Sequence, residues 1–129
     1  MINQATKDRI EALRQQYMGL IKGNEPLLKE IALAEIPEMV YNSNAIENST
    51  LSLEDTEIIL SGGVLGRNVH VREVYEAKNL AILTETVVEK SKASLDLKLI
   101  LGWHKTLLSY IDDKIAGRFR TGKEWVRVG

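Results

Sequence analysis

Pro37 stands inside an otherwise continuous helical pattern, and no other single residue constrains the fold of this chain as much. Around it, apolar residues run from Leu27, Leu28, Ile31, Ala32 and Ile36 to Ile46, after a first-turn Pro26, at the spacing that marks one face of a helix. A proline in a helix interior removes a hydrogen bond and crowds the carbonyl four residues back, whereas the first turn accepts it. The chain therefore either kinks near Leu33 or starts a new helix with Pro37 in its first turn. Either way, residues 38–47 are a separately aimed segment. That segment runs into the polar stretch Tyr41-Asn42-Ser43-Asn44-Ala45-Ile46-Glu47-Asn48-Ser49-Thr50. On a helix, Ser43 and Glu47 lie on one face with Ile36, Met39 and Val40. A carboxylate on an apolar stripe must reach solvent, cap a backbone or meet a cation, because burying it unpaired costs several kcal/mol.

Other segments carry the same period. Ile10, Leu13, Tyr17, Leu20 and Ile21 predict an amphipathic helix over about 6–22 that stops at Gly23-Asn24. Its two heptads are too few for a coiled coil, so the stripe is expected to pack on its own domain. Ser52, with Asp55 three residues on, predicts a capped short helix ending at Ser61-Gly62-Gly63. The glycines of 62–66 match neither phosphate-binding fingerprint and read as a connector. His70 to about Ser91 is the longest candidate, with small residues on one stripe that suit a central helix. Ser94 or Asp96 then caps a helix whose apolar face runs Leu97, Ile100, Leu101, His104, Leu107, Leu108 and Ile111. His104 reads as a core histidine bonded to a backbone carbonyl, since the only other histidine is His70 and no ligand spacing links the two.

After Asp112-Asp113-Lys114 the pattern alternates around Gly122, with Phe119, Trp125, Val126 and Val128, and predicts a β-hairpin. Its last strand has no partner sheet in the sequence, as if the element were cut short. The expected fold is therefore all-α, a bundle of about five or six helices with a short C-terminal β-hairpin.

Composition narrows the functional classes. Seventeen basic and 18 acidic residues leave a net charge of −1, so no overall field draws the chain to nucleic acid or an anionic membrane. No cysteine is present, which excludes disulfides and thiolate chemistry. No stretch approaches the roughly 18 apolar residues of a membrane span, and a cytoplasmic protein is expected.

Ser43-Asn44-Ala45-Ile46-Glu47-Asn48 resembles the pattern Ser/Thr-x-x-x-Glu-Gly/Asn of the inhibitory helix in Fic-domain proteins. The features that follow keep that family's order: Ser49-Thr50-Leu51-Ser52-Leu53-Glu54-Asp55-Thr56, a Gly-rich loop, Val71-Arg72-Glu73-Val74, Gly102-Trp103-His104-Lys105, then Gly117-Arg118-Phe119-Arg120 leading into Val126-Arg127-Val128. The resemblance covers about residues 25–129. After the N-terminal helix, placed within 1–24 by its periodicity, the resemblance implies an inhibitory-helix region over 25–50 and over 51–129 the N-terminal portion of a Fic-like core that includes the hairpin called the flap, all in one structural domain.

Fic enzymes transfer AMP from ATP, with a divalent metal, to a hydroxyl of a target protein. The resemblance implies ATP and Mg2+ for the complete enzyme and no cofactor for this chain. The catalytic loop His-x-Phe-x-Asp/Glu-Gly-Asn-Gly-Arg-x-x-Arg is absent, since His70 precedes Val71-Arg72-Glu73 and His104 precedes Lys105-Thr106-Leu107. No catalytic residue transfers, and the chain alone is expected to be inactive. What the resemblance assigns is inhibition to Glu47, a supporting hydroxyl to Ser43 and the helix-ending position to Asn48. In the family the glutamate occupies an arginine of the catalytic loop and keeps the ATP γ-phosphate from its productive position. The flap residues Arg118, Phe119, Arg120, Trp125, Val126, Arg127 and Val128 are assigned to docking of the target protein by strand addition. The other expected partner is the catalytic part missing from this chain. No membrane or nucleic acid is expected, and a homodimer stays open. The competing reading is a helical binding module that uses the basic strip Lys114, Arg118, Arg120, Lys123 and Arg127, interleaved with Phe119 and Trp125, to hold nucleic acid or protein.

Overall fold

A computed structural model describes residues 2–125, which form two compact units, residues 2–34 and 35–125. The first holds α1 (Gln4–Ile21) and α2 (Glu25–Ala34). Asn3 opens α1 by accepting the Thr6 amide at 2.8 Å, as an N-cap asparagine does. Gly23, at φ +89°, turns the chain where the Gly-Asn stop signal predicts. Within this unit the α1 stripe does not find the packing expected of it. No α1 residue is buried, and Leu20 is 71% exposed.

The second unit contains α3 (Ile36–Ile46), α4 (Leu53–Leu60), α5 (Val71–Glu89) and α6 (Leu97–Leu108). Pro37 sits in the first turn of α3, so of the two alternatives the chain takes the fresh start. Ser52 and Asp55 form a reciprocal capping box on α4, and Asp96 caps α6 through the Leu99 amide at 2.7 Å. Helix α5 packs on α3, α4 and α6 and is central. Its small residues allow the close approach: Ala77 is fully buried and Ala81 nearly so. Against them lie Val40 and Ile36 of α3, Ile59 of α4 and Leu51, all buried. Asn79, also buried, donates from Nδ2 to the carbonyls of Leu107 and Ser109. Those are carbonyls at the end of α6, which its own turns leave unpaired.

Three expectations need correction. Helix α6 ends at Leu108 rather than running on to Ile111, because Tyr110 takes a left-handed backbone, φ 62°. His104 is half-buried and its Nδ1 accepts the Gly117 amide at 3.0 Å, so its backbone partner is a donor and not a carbonyl. Among the described residues there is no strand, and the C-terminal hairpin is not seen over 118–125. Arg118 donates to the carbonyls of Lys114 and Phe119 and, with two nitrogens, to Glu124. Glu124 also accepts the Thr121 amide. These local bonds fold 114–124 into successive turns and take up groups a β-ladder would need. Val126, Arg127 and Val128 lie outside the described residues.

Candidate functional site

The site is built from the C-terminal end of α3. Glu47 is the C-cap, Asn48 follows at φ 65°, and the amides of Asn48 and Ser49 return to the carbonyls of Ala45 and Asn44. This is a Schellman turn, with asparagine at the left-handed position that glycine usually fills. Helix α4 closes the same way, with Gly62 at φ +81° and the Gly63 amide on the Ile58 carbonyl at 2.8 Å. A Cβ on Gly63 would lie 2.8 Å from the Ile58 side chain. Gly62 and Gly63 thus serve the end of α4.

The apolar stripe of α3 does not reach Glu47. Ile36 and Val40 are buried, whereas Ser43, Ile46, Glu47 and Asn48 are exposed. Of the three fates open to the carboxylate, it takes solvent. Glu47 lines a cleft of about 690 Å³, together with Asn48 just past α3, His70 and Arg72 at the start of α5, Leu108 at the end of α6 and Ile111 beyond it. The cleft's arginine is engaged elsewhere, since Arg72 donates to Glu76 at 2.7 Å. Among the described residues Glu47 makes no side-chain hydrogen bond or ion pair.

Directly after the helix end the chain is clasped from two sides. The Thr50 amide goes to Glu73 and its carbonyl to Arg67 Nη2 at 2.9 Å, so neither backbone group is left without a partner. Arg67 also holds Asp55. That guanidinium, aided by the Ser52 amide, lowers the Asp55 carboxyl from an ordinary 3.8 to about 2. Sequence reasoning missed Glu73 and Arg67. Glu73 occupies the third position of α5, where a glutamate reaches back to the N-cap amide, and that capping signature was the available sign.

The Asp55 shift gives a pH prediction. A carboxyl whose folded value lies below its unfolded one stabilises fully above about pH 4, and that contribution disappears as pH falls through about 2. Melting temperatures of wild type and Asp55→Asn between about pH 5 and pH 2 are expected to differ most at the upper end and to converge at the lower. A gap independent of pH would remove the Arg67 pair as its cause.

The proposed flap is divided. Phe119 and Trp125 are 64% and 94% exposed and border a groove of about 590 Å³ with Ile100, Leu101 and Ile115. Arg118 is tied to Glu124, so the basic strip of the competing reading loses one of its cations. Ser43 lies on the exposed face of α3 and is not among the residues lining the Glu47 cleft. No described helix is long and apolar enough to cross a membrane. No group of three or more described His, Asp or Glu side chains is arranged to hold a metal ion.

The chain is 26% identical over 129 residues to "Protein adenylyltransferase Fic" of Nematostella vectensis, covering 97% of this chain and 30% of that protein. It is 33% identical over 91 residues to "Protein adenylyltransferase fic-1" of Caenorhabditis elegans, covering 67% of this chain and 18% of that one. It therefore spans less than a third of the length of either relative. No family model matches it, and no solved structure does. With 33% identity to one Fic protein over two thirds of the chain and similarity to a second along nearly its whole length, the chain belongs to the Fic family as the counterpart of part of a longer member.

Proposed function

We propose that this chain is the regulatory and target-docking part of an enzyme that transfers AMP from ATP to a hydroxyl of a target protein, with Glu47 as its autoinhibitory residue. One observation carries the reading: a carboxylate without a partner among the described residues, at a helix end held by a Schellman turn and a two-sided clasp, lining an open cleft. Such a group is suited to take a guanidinium in a charge-assisted, bidentate pair. In this reading the arginine belongs to a histidine-led loop that this sequence lacks, and pairing removes it from the phosphates of ATP. Asn48 supplies the left-handed residue that ends the helix, and Ser43 adds a hydroxyl one turn earlier. The target protein docks along the segment that begins at Arg118, where Phe119 and Trp125 present apolar surface. ATP, with Mg2+, serves the complete enzyme, and this chain alone transfers nothing.

The test uses a polypeptide that continues this chain into the histidine-led loop. Incorporation of labelled AMP into protein is compared between wild type and Glu47→Gly. Loss of one charge-assisted pair is expected to raise incorporation about tenfold or more. Equal incorporation by two otherwise competent enzymes would overturn the assignment.

A further inference from the structure

Glu73 is one arm of that clasp and one of the most constrained groups in the molecule. It lies in the first turn of α5 and is 8% exposed. Its two oxygens accept the Thr50 amide at 2.5 Å, the Thr50 hydroxyl at 3.0 Å, the Ser49 hydroxyl at 3.1 Å and the His70 amide at 3.4 Å. The Thr50 amide first, and then the two hydroxyls, hold its carboxyl below the usual carboxylate range against the opposing effect of burial. Three of the four donors belong to the two residues that follow Glu47-Asn48, 23 and 24 positions away along the chain.

In the last turn of α3 packing reaches only Asn44, which is half-buried with its Nδ2 covered. After the fully buried Val40, Ile46 is 80% exposed, and Glu47 and Asn48 are exposed as well. Beyond the buried Leu51, the long-range hydrogen bonds of this turn among the described residues are those to Glu73 and the one from Arg67 to the Thr50 carbonyl. A charged acceptor that takes an amide and two hydroxyls makes the stronger kind of bond.

We propose that Glu73 is a positioning residue for the inhibitory turn. By holding Ser49 and Thr50 against the start of α5, it fixes where α3 ends, and so where the Glu47 carboxylate stands over the cleft. This rests on the reading of Glu47 as inhibitory. It adds that inhibition depends on a second carboxylate that does not itself touch the arginine.

Glu73→Gln tests this by keeping size and removing charge. In the present chain, amide hydrogen exchange at Thr50 is expected to accelerate about tenfold, the value of one bond to a charged group, while the Val40 and Ala77 amides keep their protection. In a polypeptide carrying the catalytic loop, Glu73→Gln is expected to raise AMP incorporation at least about threefold, a part of the Glu47→Gly effect. In the Glu47→Gly background it should add nothing, an epistasis that a merely structural role would not produce. Thr50→Val removes a hydroxyl from the other side of the clasp and should shift exchange and incorporation in the same directions by less. If Glu73→Gln also exposes the core amides, Thr50→Val decides. Activation by Glu47→Gly with no effect of Glu73→Gln or Thr50→Val would overturn the proposal alone. Equal activation by Glu73→Gln with and without Glu47 would also overturn it. Failure of Glu47→Gly to activate would bring down the inhibitory reading and this proposal with it.

Discussion

Replacing Val40 with aspartate is expected to abolish cooperative folding of residues 35–125. Val40 is fully buried on α3, where that helix meets α5. An aspartate there has no cation within the core, since the buried residues are Ile36, Leu51, Thr56, Ile59, Ala77, Ala81, Asn79 and the already negative Glu73. An unpaired carboxylate in this core costs several kcal/mol, set against a total stability of roughly 5–15 kcal/mol for a domain. Thermal melting followed by circular dichroism should lose its sigmoidal transition near neutral pH. Met39→Asp is the control one residue away: Met39 is 48% exposed, and a surface change of this kind stays within about 0.5–1 kcal/mol. Similar melting of the two variants would refute the placement of the α3–α5 contact.

The second large effect is expected at Gly117. Its φ of +75° is one that side chains with a Cβ avoid, and the space beside it is closed. A Cβ there would lie 2.9 Å from Lys105 Cβ and 3.3 Å from the Leu101 carbonyl oxygen, both on α6. Gly117→Val therefore meets backbone strain of about 1–2 kcal/mol, a collision with the helix, and loss of the His104–Gly117 bond, worth about 1 kcal/mol. The expected loss is on the order of 3 kcal/mol for holding residues 112–125 on α6. It should appear as fast exchange of the residue 117 amide and a changed His104 ring signal in NMR, with the protection of Ala77 retained. Gly122→Ala, with nothing within 4 Å of its Cβ position, is expected to stay within about 0.5 kcal/mol. Slow exchange of the residue 117 amide in the Gly117→Val variant would contradict the close approach.

Arg118 shows why residues 118–125 form no strand. Alternating β-branched and aromatic residues describe a strand only while the backbone groups are free to pair. Here one guanidinium reaches two carbonyls of its own segment and closes on Glu124, six residues on. Charge pairing beyond the next few residues is not visible in an alternation pattern. The α1 stripe makes a related point: periodicity states which face of a helix is apolar, not whether anything covers it.

The features legible in the residues themselves are those whose causes lie within one helical turn. Pro37 at a restart, Ser52 with Asp55, Asp96 as a cap, Gly62 as a left-handed stop, and the small-residue face of α5 each follow from local sterics and hydrogen bonding. Only the tertiary structure decided that Glu47 faces an open cleft while Glu73 is buried, and that Thr50 is held between Glu73 and Arg67. It also decided that Asn79 closes the far end of α6 and that His104 receives Gly117. The partners in these contacts are 13 to 30 residues apart. At such separations the pairing of charges and hydrogen bonds is set by how helices pack, which no local pattern encodes.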